Sequence, residues 1–212
     1  LGVPDPTLRS SFDHCADIVT TAERVGFDNV LLPSGYDLGI DSVAFAGGVA
    51  PMTDHIRLLV AVRCGELWPP QLARQLATLD QMLQGRLTIN IISSDLPGAP
   101  IDGGPRYARS REVMTILRTL LRGEPLDHHG EFYDLVLDPP RVASDAAQAR
   151  GGTAPPFYFG GMSDPARDTA AEHADVFLMW PDTMDGVQST ISDMRARADA
   201  HDASSAGRPR CA

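Results

Sequence analysis

Short apolar runs alternate with amphipathic stretches along most of this chain, and that alternation limits the fold more than any other feature. The runs lie at 29–32, 56–62, 87–92, 157–159 and 176–179. They are too short for helices and rich in Val, Ile, Leu and Phe, so they read as buried strands. Between them, apolar residues recur at helical spacing. Phe12, Cys15, Ala16, Val19, Ala22 and Val25 form one stripe over 10–25, with Gly26 as its stop. Leu72, Leu76, Leu79 and Leu83 form another, closed by Gly85. Helices also fit 42–49, 106–121, 164–173 and 184–200. Strands alternating with helices predict βα units on a parallel sheet. A doubly wound sheet and a TIM barrel both satisfy that pattern, and periodicity alone does not separate them. Neither a dinucleotide fingerprint nor a P-loop is present.

The alternation breaks once, between 124 and 155. The segments 126–128 and 132–137 flank a His129-Gly130 turn, which predicts a hairpin. A Pro-, Ala- and Gly-rich loop is expected to lead from there to the next strand. The whole stretch reads as an excursion from one domain spanning 1–212. With 212 residues, 43% of them hydrophobic, the chain can bury one substantial core. Its net charge of −10 argues against nucleic acid or an anionic membrane as partner. No apolar run approaches the roughly 18 residues of a membrane span. The three cysteines, Cys15, Cys64 and Cys211, are far apart and odd in number. They make neither a disulfide framework nor a zinc pair, and they fit a reducing, cytoplasmic setting.

In either α/β architecture, ligands bind at the carboxyl ends of the strands. The run at 157–159 continues into Gly160-Gly161-Met162-Ser163 and then a helix with Pro165 near its start. Two glycines allow close backbone approach, and free N–H groups at a helix N-terminus attract an anion. The segment can serve as a phosphate cradle, although from the residues alone a tight turn with Ser163 or Asp164 as helix cap is the plainer reading. Asn90, inside the run at 87–92, needs a hydrogen-bonding partner if buried. Either a cofactor ring or a neighbouring loop can supply it. Ser93-Ser94-Asp95 follows. Arg106 and Tyr107 open a helix, with Arg109, Arg111 and Glu112 behind them. Cations there oppose the helix dipole unless an anion lies near, or form a solvated basic face. Ser34-Gly35-Tyr36-Asp37, Arg63-Cys64, and Trp180 with Asp182 close the remaining strands. Rim packing is the default role of Trp180. Asp127, His128, His129 and Glu131 crowd together like metal ligands, but a hairpin turn accounts for them and no metal is expected.

Taken in order, 29–35 (NVLLPSG), 59–63 (LVAVR), 73–80 (ARQLATLD), 85–90 (GRLTIN), Arg106-Tyr107 with Glu112, and 158–164 (YFGGMSD) resemble successive landmarks of the luciferase-like flavin monooxygenases. The alkanesulfonate monooxygenase branch is the most similar. The resemblance implies a TIM barrel, with the excursion at 124–155 as an insertion between its fourth and fifth strands. It implies reduced FMN as cofactor, O2 and a small organosulfur compound as substrates, and a separate NAD(P)H-dependent flavin reductase as partner. In the alkanesulfonate branch, a C–S bond is split to give an aldehyde and sulfite. Gly160, Gly161, Met162 and Ser163 would hold the FMN phosphate. Arg106 and Tyr107 would lie beside the phosphate or the ring, and Asn90 and Ser93 beside the isoalloxazine. The parent would be a homo-oligomer. The chain departs from the pattern at Gly103, where many relatives carry His, and at Tyr36-Asp37-Leu38-Gly39, where the alkanesulfonate enzymes carry Cys. Leu1-Gly2 matches the loop after the family's first strand, and the chain ends about where the seventh should start. About five of the eight βα units, strands 2 to 6, are therefore expected, with weak or no activity from this length alone. The same superfamily also contains deazaflavin-dependent hydride-transfer enzymes and oxidases of sulfones, alkanes and aminocarboxylates. A non-catalytic flavin-binding chain is a further alternative.

Overall fold

A computed structural model describes residues 10–36 and 40–204. In chain order the elements are α1 (Phe12–Arg24), β1 (Asn29–Leu32), α2 (Ser42–Val49), β2 (Arg57–Arg63), α3 (Pro69–Met82), β3 (Leu87–Ile92) and α4 (Gly103–Leu121). They continue with β4 (Leu126–His129), β5 (Asp134–Leu137), α5 (Arg141–Ala149), β6 (Phe157–Gly160), α6 (Asp164–His173), β7 (Val176–Leu178) and α7 (Met184–Ser204). All five expected strands form within a residue or two of their expected limits.

The sheet runs β1-β2-β3-β6-β7, every neighbouring pair parallel. Strand order follows chain order throughout, with no reversal. A doubly wound sheet reverses at its switch point, whereas a barrel adds each strand beside the last. The topology is thus five-stranded half-barrel, which settles the alternative that periodicity left open. Alternate residues point to opposite faces. Leu58, Val60, Val62, Leu87, Ile89, Ile91, Phe157 and Phe159 face the helices and share one buried core with Leu72, Leu76, Val113, Ile116 and Leu117. On the concave face, Ala61, Asn90, Tyr158 and Val176 form one row across four strands.

Side-chain caps start several helices: Ser11 accepts from the His14 amide on α1, and Asp41 from the Ala44 amide on α2. The Ser42 hydroxyl donates to the Ala61 carbonyl at 2.7 Å, fastening α2 to β2.

The hairpin forms as β4–β5, with Leu126 opposite Leu137 and His129 opposite Asp134. The loop expected after it is instead partly helical, because Ala143, Ala146 and Ala147 line one buried face of α5. Pro139-Pro140 before it and Gly151-Gly152 after it are helix start and stop signals, not loop filler. Arg150, at the end of α5, pairs with both oxygens of the buried Asp80 on α3. Glu112 on α4 fixes the hairpin turn, accepting from the amides of Glu131 (2.8 Å), Phe132 (3.2 Å) and Tyr133 (3.0 Å), with His128 Nε2 at 3.2 Å. Burial works to raise the Glu112 carboxyl. The hydrogen bond from His128 and those from the Phe132, Glu131 and Tyr133 amides outweigh it and hold the group below its ordinary range. The excursion is therefore locked to α3 and α4, away from the concave face.

Candidate functional site

Parallel strands bring the loops after β1, β2, β3, β6 and β7 to one rim, as the sequence implied. At β6, the chain leaves the sheet through Gly160-Gly161 and enters α6 at Ser163. A Cβ on Gly160 would lie 3.0 Å from the Leu178 carbonyl oxygen, and one on Gly161 would lie 2.5 Å from Ala166 Cβ. Only glycine lets this turn lie against both β7 and α6. Ser163 caps α6, its Oγ accepting from the Ala166 amide at 3.4 Å. The first-turn N–H groups of a helix have no partners within it, and their dipoles present positive potential to solvent.

Tyr107 reaches the same point from α4, its hydroxyl 3.2 Å from Ser163 Oγ. The two residues are 56 positions apart, so only the fold joins them. Arg106 stands beside them, its guanidinium 5.3 Å from the centre of the Tyr107 ring. Its ion pair to Asp95 is long, at 3.5 Å. Two hydroxyls, a helix N-terminus and an arginine with donors to spare form a donor set for an oxyanion. A phosphate monoester such as that of FMN fits it. Met162 is exposed at the lip.

Asn90 projects from the concave face of β3 and has no hydrogen-bond partner among the described residues, which leaves its amide for a ligand. Its register partner is Tyr158, half-buried on the same face. Sequence reasoning quoted Tyr158 only as part of a motif; strand parity was the signal, but the register was needed to pair it with Asn90. Ser93 lies at the end of β3 with its Oγ accepting from Ser110 Oγ at 2.9 Å. Ser110 is fully buried, and its single hydroxyl hydrogen is shared between Ser93 Oγ and the Arg106 carbonyl, which lies 3.0 Å away. Ser93 and Ser110 thus join the end of β3 to the first turns of α4, the joint that sets where Arg106 and Tyr107 stand. Ser110 was missed in the sequence, where it is one more small residue on a helix.

Arg63 bridges three loops, with Nη2 to the Ser34 carbonyl (3.3 Å), Nη1 to the Asp95 carbonyl (3.2 Å) and Nε to Glu66 (3.0 Å). It builds the rim and has little left for a ligand. Burial pushes the neighbouring Cys64 thiol up to about 11, against the opposing influence of Ser110 and Arg109. Cys64 is therefore a small core residue. A Cβ on Gly103 would meet nothing within 4 Å, so this departure from the family leaves open space where its histidine would stand. Trp180 is 66% exposed rather than packed into the rim, and Asp182 accepts from the Thr183 amide just before α7. Asp37, Leu38 and Gly39 lie outside the described residues. His129 sits between Asp134 (2.6 Å) and Asp127 (3.0 Å), while His128 turns to Glu112. Among the described residues no group of three or more His, Cys, Asp or Glu is arranged to hold a metal, and no helix is long and apolar enough to cross a membrane.

The chain is 59% identical over 205 residues to a sulfoquinovose monooxygenase of Novosphingobium aromaticivorans, covering 93% of this chain and 55% of that protein. It is 48% identical to a sulfoquinovose monooxygenase of Agrobacterium fabrum, covering 95% of this chain and 51% of that protein. The chain therefore spans about half the length of these curated relatives. A riboflavin lyase solved with modified FMN and riboflavin shares the fold, with a TM-score of 0.79 at 17% identity, over 90% of this chain and 52% of its own. The pattern of the luciferase-like monooxygenase family matches residues 2–212, and the chain belongs to that family.

Proposed function

We propose that this chain is the FMN-phosphate-binding part of a monooxygenase that uses reduced FMN and O2 to oxidise a small organosulfur compound. Both curated relatives carry sulfoquinovose in their names, which favours a sulfonated sugar over the simple alkanesulfonate suggested by the motifs. A separate NAD(P)H-dependent flavin reductase would supply the reduced cofactor, and the parent would be a homo-oligomer. The observation that carries the reading is the convergence of the Tyr107 and Ser163 hydroxyls on the N-terminus of α6, beside two glycines that tolerate no side chain.

Reduced FMN would supply the electrons and the oxygen activation. The chain's part is to bind and orient. Ser163, Tyr107, Arg106 and the amides around Gly161 and Met162 would hold the phosphate. Asn90 would meet the ring from the concave face with an amide that can donate and accept. Ser93 and Ser110 would keep α4 at the right distance from β3. Ala61 and the Tyr158 ring, in the same row as Asn90, would cover the ring's inner side against water.

The test is an anaerobic titration of reduced FMN followed by flavin fluorescence, with Gly161→Asp alongside. Saturable binding by the wild type, lost in the variant, is expected. Equal binding by both would refute the cradle. Sulfite release with O2 uptake by a full-length version would then separate oxygenation from deazaflavin hydride transfer and from binding without turnover.

A further inference from the structure

The first two turns of α6 carry negative charge in the wrong place for an anion cradle, and a residue far along the chain offsets part of it. Asp164 directly follows Ser163, and Asp168 lies one turn further on. Carboxylates at a helix start favour the helix but repel an anion bound there. On α7, Arg197 gives Nη2 to Asp164 Oδ1 at 2.7 Å, Nη1 to Asp168 Oδ1 at 2.6 Å, and Nε to the two oxygens of Asp193 at 3.0 and 3.1 Å. Every edge of the guanidinium is engaged. Arg167 Nη1 bonds Asp193 at 2.9 Å, sharing that carboxylate. The hydrogen bonds to Asp168 and Asp193, and then that to Asp164, raise the guanidinium above its already high ordinary value despite partial burial. Arg197 therefore stays charged throughout the working pH range.

We propose that Arg197 is a positioning residue for anion binding at α6: by offsetting part of the charge of Asp164 and Asp168 it keeps the helix N-terminus attractive to a phosphate at Ser163. Arg197 does not touch the phosphate; it acts through the two aspartates. The inference rests on the FMN-phosphate reading above. Without Arg197, Asp164 and Asp168 lose the ion pairs it makes with them, and Asp193 keeps Arg167. One positive charge removed from roughly 7–10 Å of a dianion, in a water-like medium, weakens binding by about three- to fivefold at low salt. The effect fades as the Debye length shrinks below that separation, to about 3 Å at 1 M salt.

The test is the dissociation constant of FMN, by fluorescence titration at low and high salt, with inorganic phosphate as competitor. Thermal melts confirm that each variant is folded. Arg197→Ala should weaken FMN and phosphate about three- to fivefold at low salt and little at high salt. Adding Asp164→Asn and Asp168→Asn to it removes two negative charges for the one positive charge lost, and should bring affinity back to wild type or up to about fivefold tighter, which mere loss of a structural tie would not allow. Arg197→Lys should fall between. Asp164→Asn alone should tighten FMN about twofold, and it decides the question if Arg197→Ala does not fold. Unchanged affinity in Arg197→Ala, a loss the triple variant does not regain, or no tightening by Asp164→Asn would overturn the proposal. A wild type that binds neither FMN nor phosphate would remove the cradle itself, and the proposal with it.

Discussion

Replacing Glu112 with alanine should loosen the excursion without touching the sheet. The carboxylate accepts from the three consecutive amides of Glu131, Phe132 and Tyr133 and pairs with His128. The Glu131 amide is exposed and can turn to water, but those of Phe132 and Tyr133 are partly buried. Each partly buried donor left without its charged acceptor costs about 1–2 kcal/mol. The variant should therefore lose roughly 2–4 kcal/mol, or about 5–15 °C in Tm for a domain of this size. Glutamine keeps the shape but loses the charge, and should fall about halfway. The pH dependence follows from sign. The folded carboxyl lies below its ordinary value, so its stabilisation is present above the unfolded value of about 4.3 and fades as pH falls through the folded one. Wild type and Glu112→Gln should thus differ most near neutrality and converge in acid. The assay is thermal denaturation by circular dichroism at several pH values, with hydrogen exchange at 126–137. A Glu112→Ala variant within about 0.5 kcal/mol of wild type would refute the reasoning, as would a Glu112→Gln gap that does not change with pH.

Two further outcomes follow from burial. Asp80→Asn leaves the Arg150 guanidinium without its buried counter-charge, and should cost roughly 3–5 kcal/mol, with the first increase in hydrogen exchange at α5. Urea unfolding with exchange at 141–149 checks it, and a loss under about 1 kcal/mol would contradict the pairing. Cys64, fully buried with its thiol raised to about 11, should stay unreactive towards a disulfide reagent at pH 8 while the partly exposed Cys15 reacts. A Cys211→Ser background isolates the two thiols, and rapid labelling of Cys64 in the native state would show that its burial is wrong.

The deazaflavin alternative survives at the level of the cradle, because any phosphate-bearing cofactor meets the same donors. What distinguishes the readings is chemistry at the ring, which we propose to lie against Asn90 and Tyr158 on the concave face.

By itself the sequence determined the strands, most of the helices and the strand–turn–helix passage at 157–164 on which the proposed anion cradle rests. The reasons are local. A three- to seven-residue apolar run has one economical use in an α/β chain, and helix stripes, caps and glycines are written in adjacent residues. Gly160 to Ser163 was legible for the same reason, as strand, turn and helix start follow one another directly. The sequence failed where the signal was weak or non-local. Residues 141–149 bury only alanines, so their helical face was quiet, and its meaning came from α3, where Asp80 waits for Arg150. Periodicity left strand order open; the tertiary structure shows the strands adding in chain order and curling into a half-barrel, as the family resemblance implied, since strand order is a property of packing and leaves no period in the chain. Tertiary structure alone brought Tyr107 to Ser163, set Tyr158 beside Asn90, and folded α7 back so that Arg197 meets Asp164. Those contacts join residues tens of positions apart, and their energy depends on distance in space, which a linear pattern does not carry.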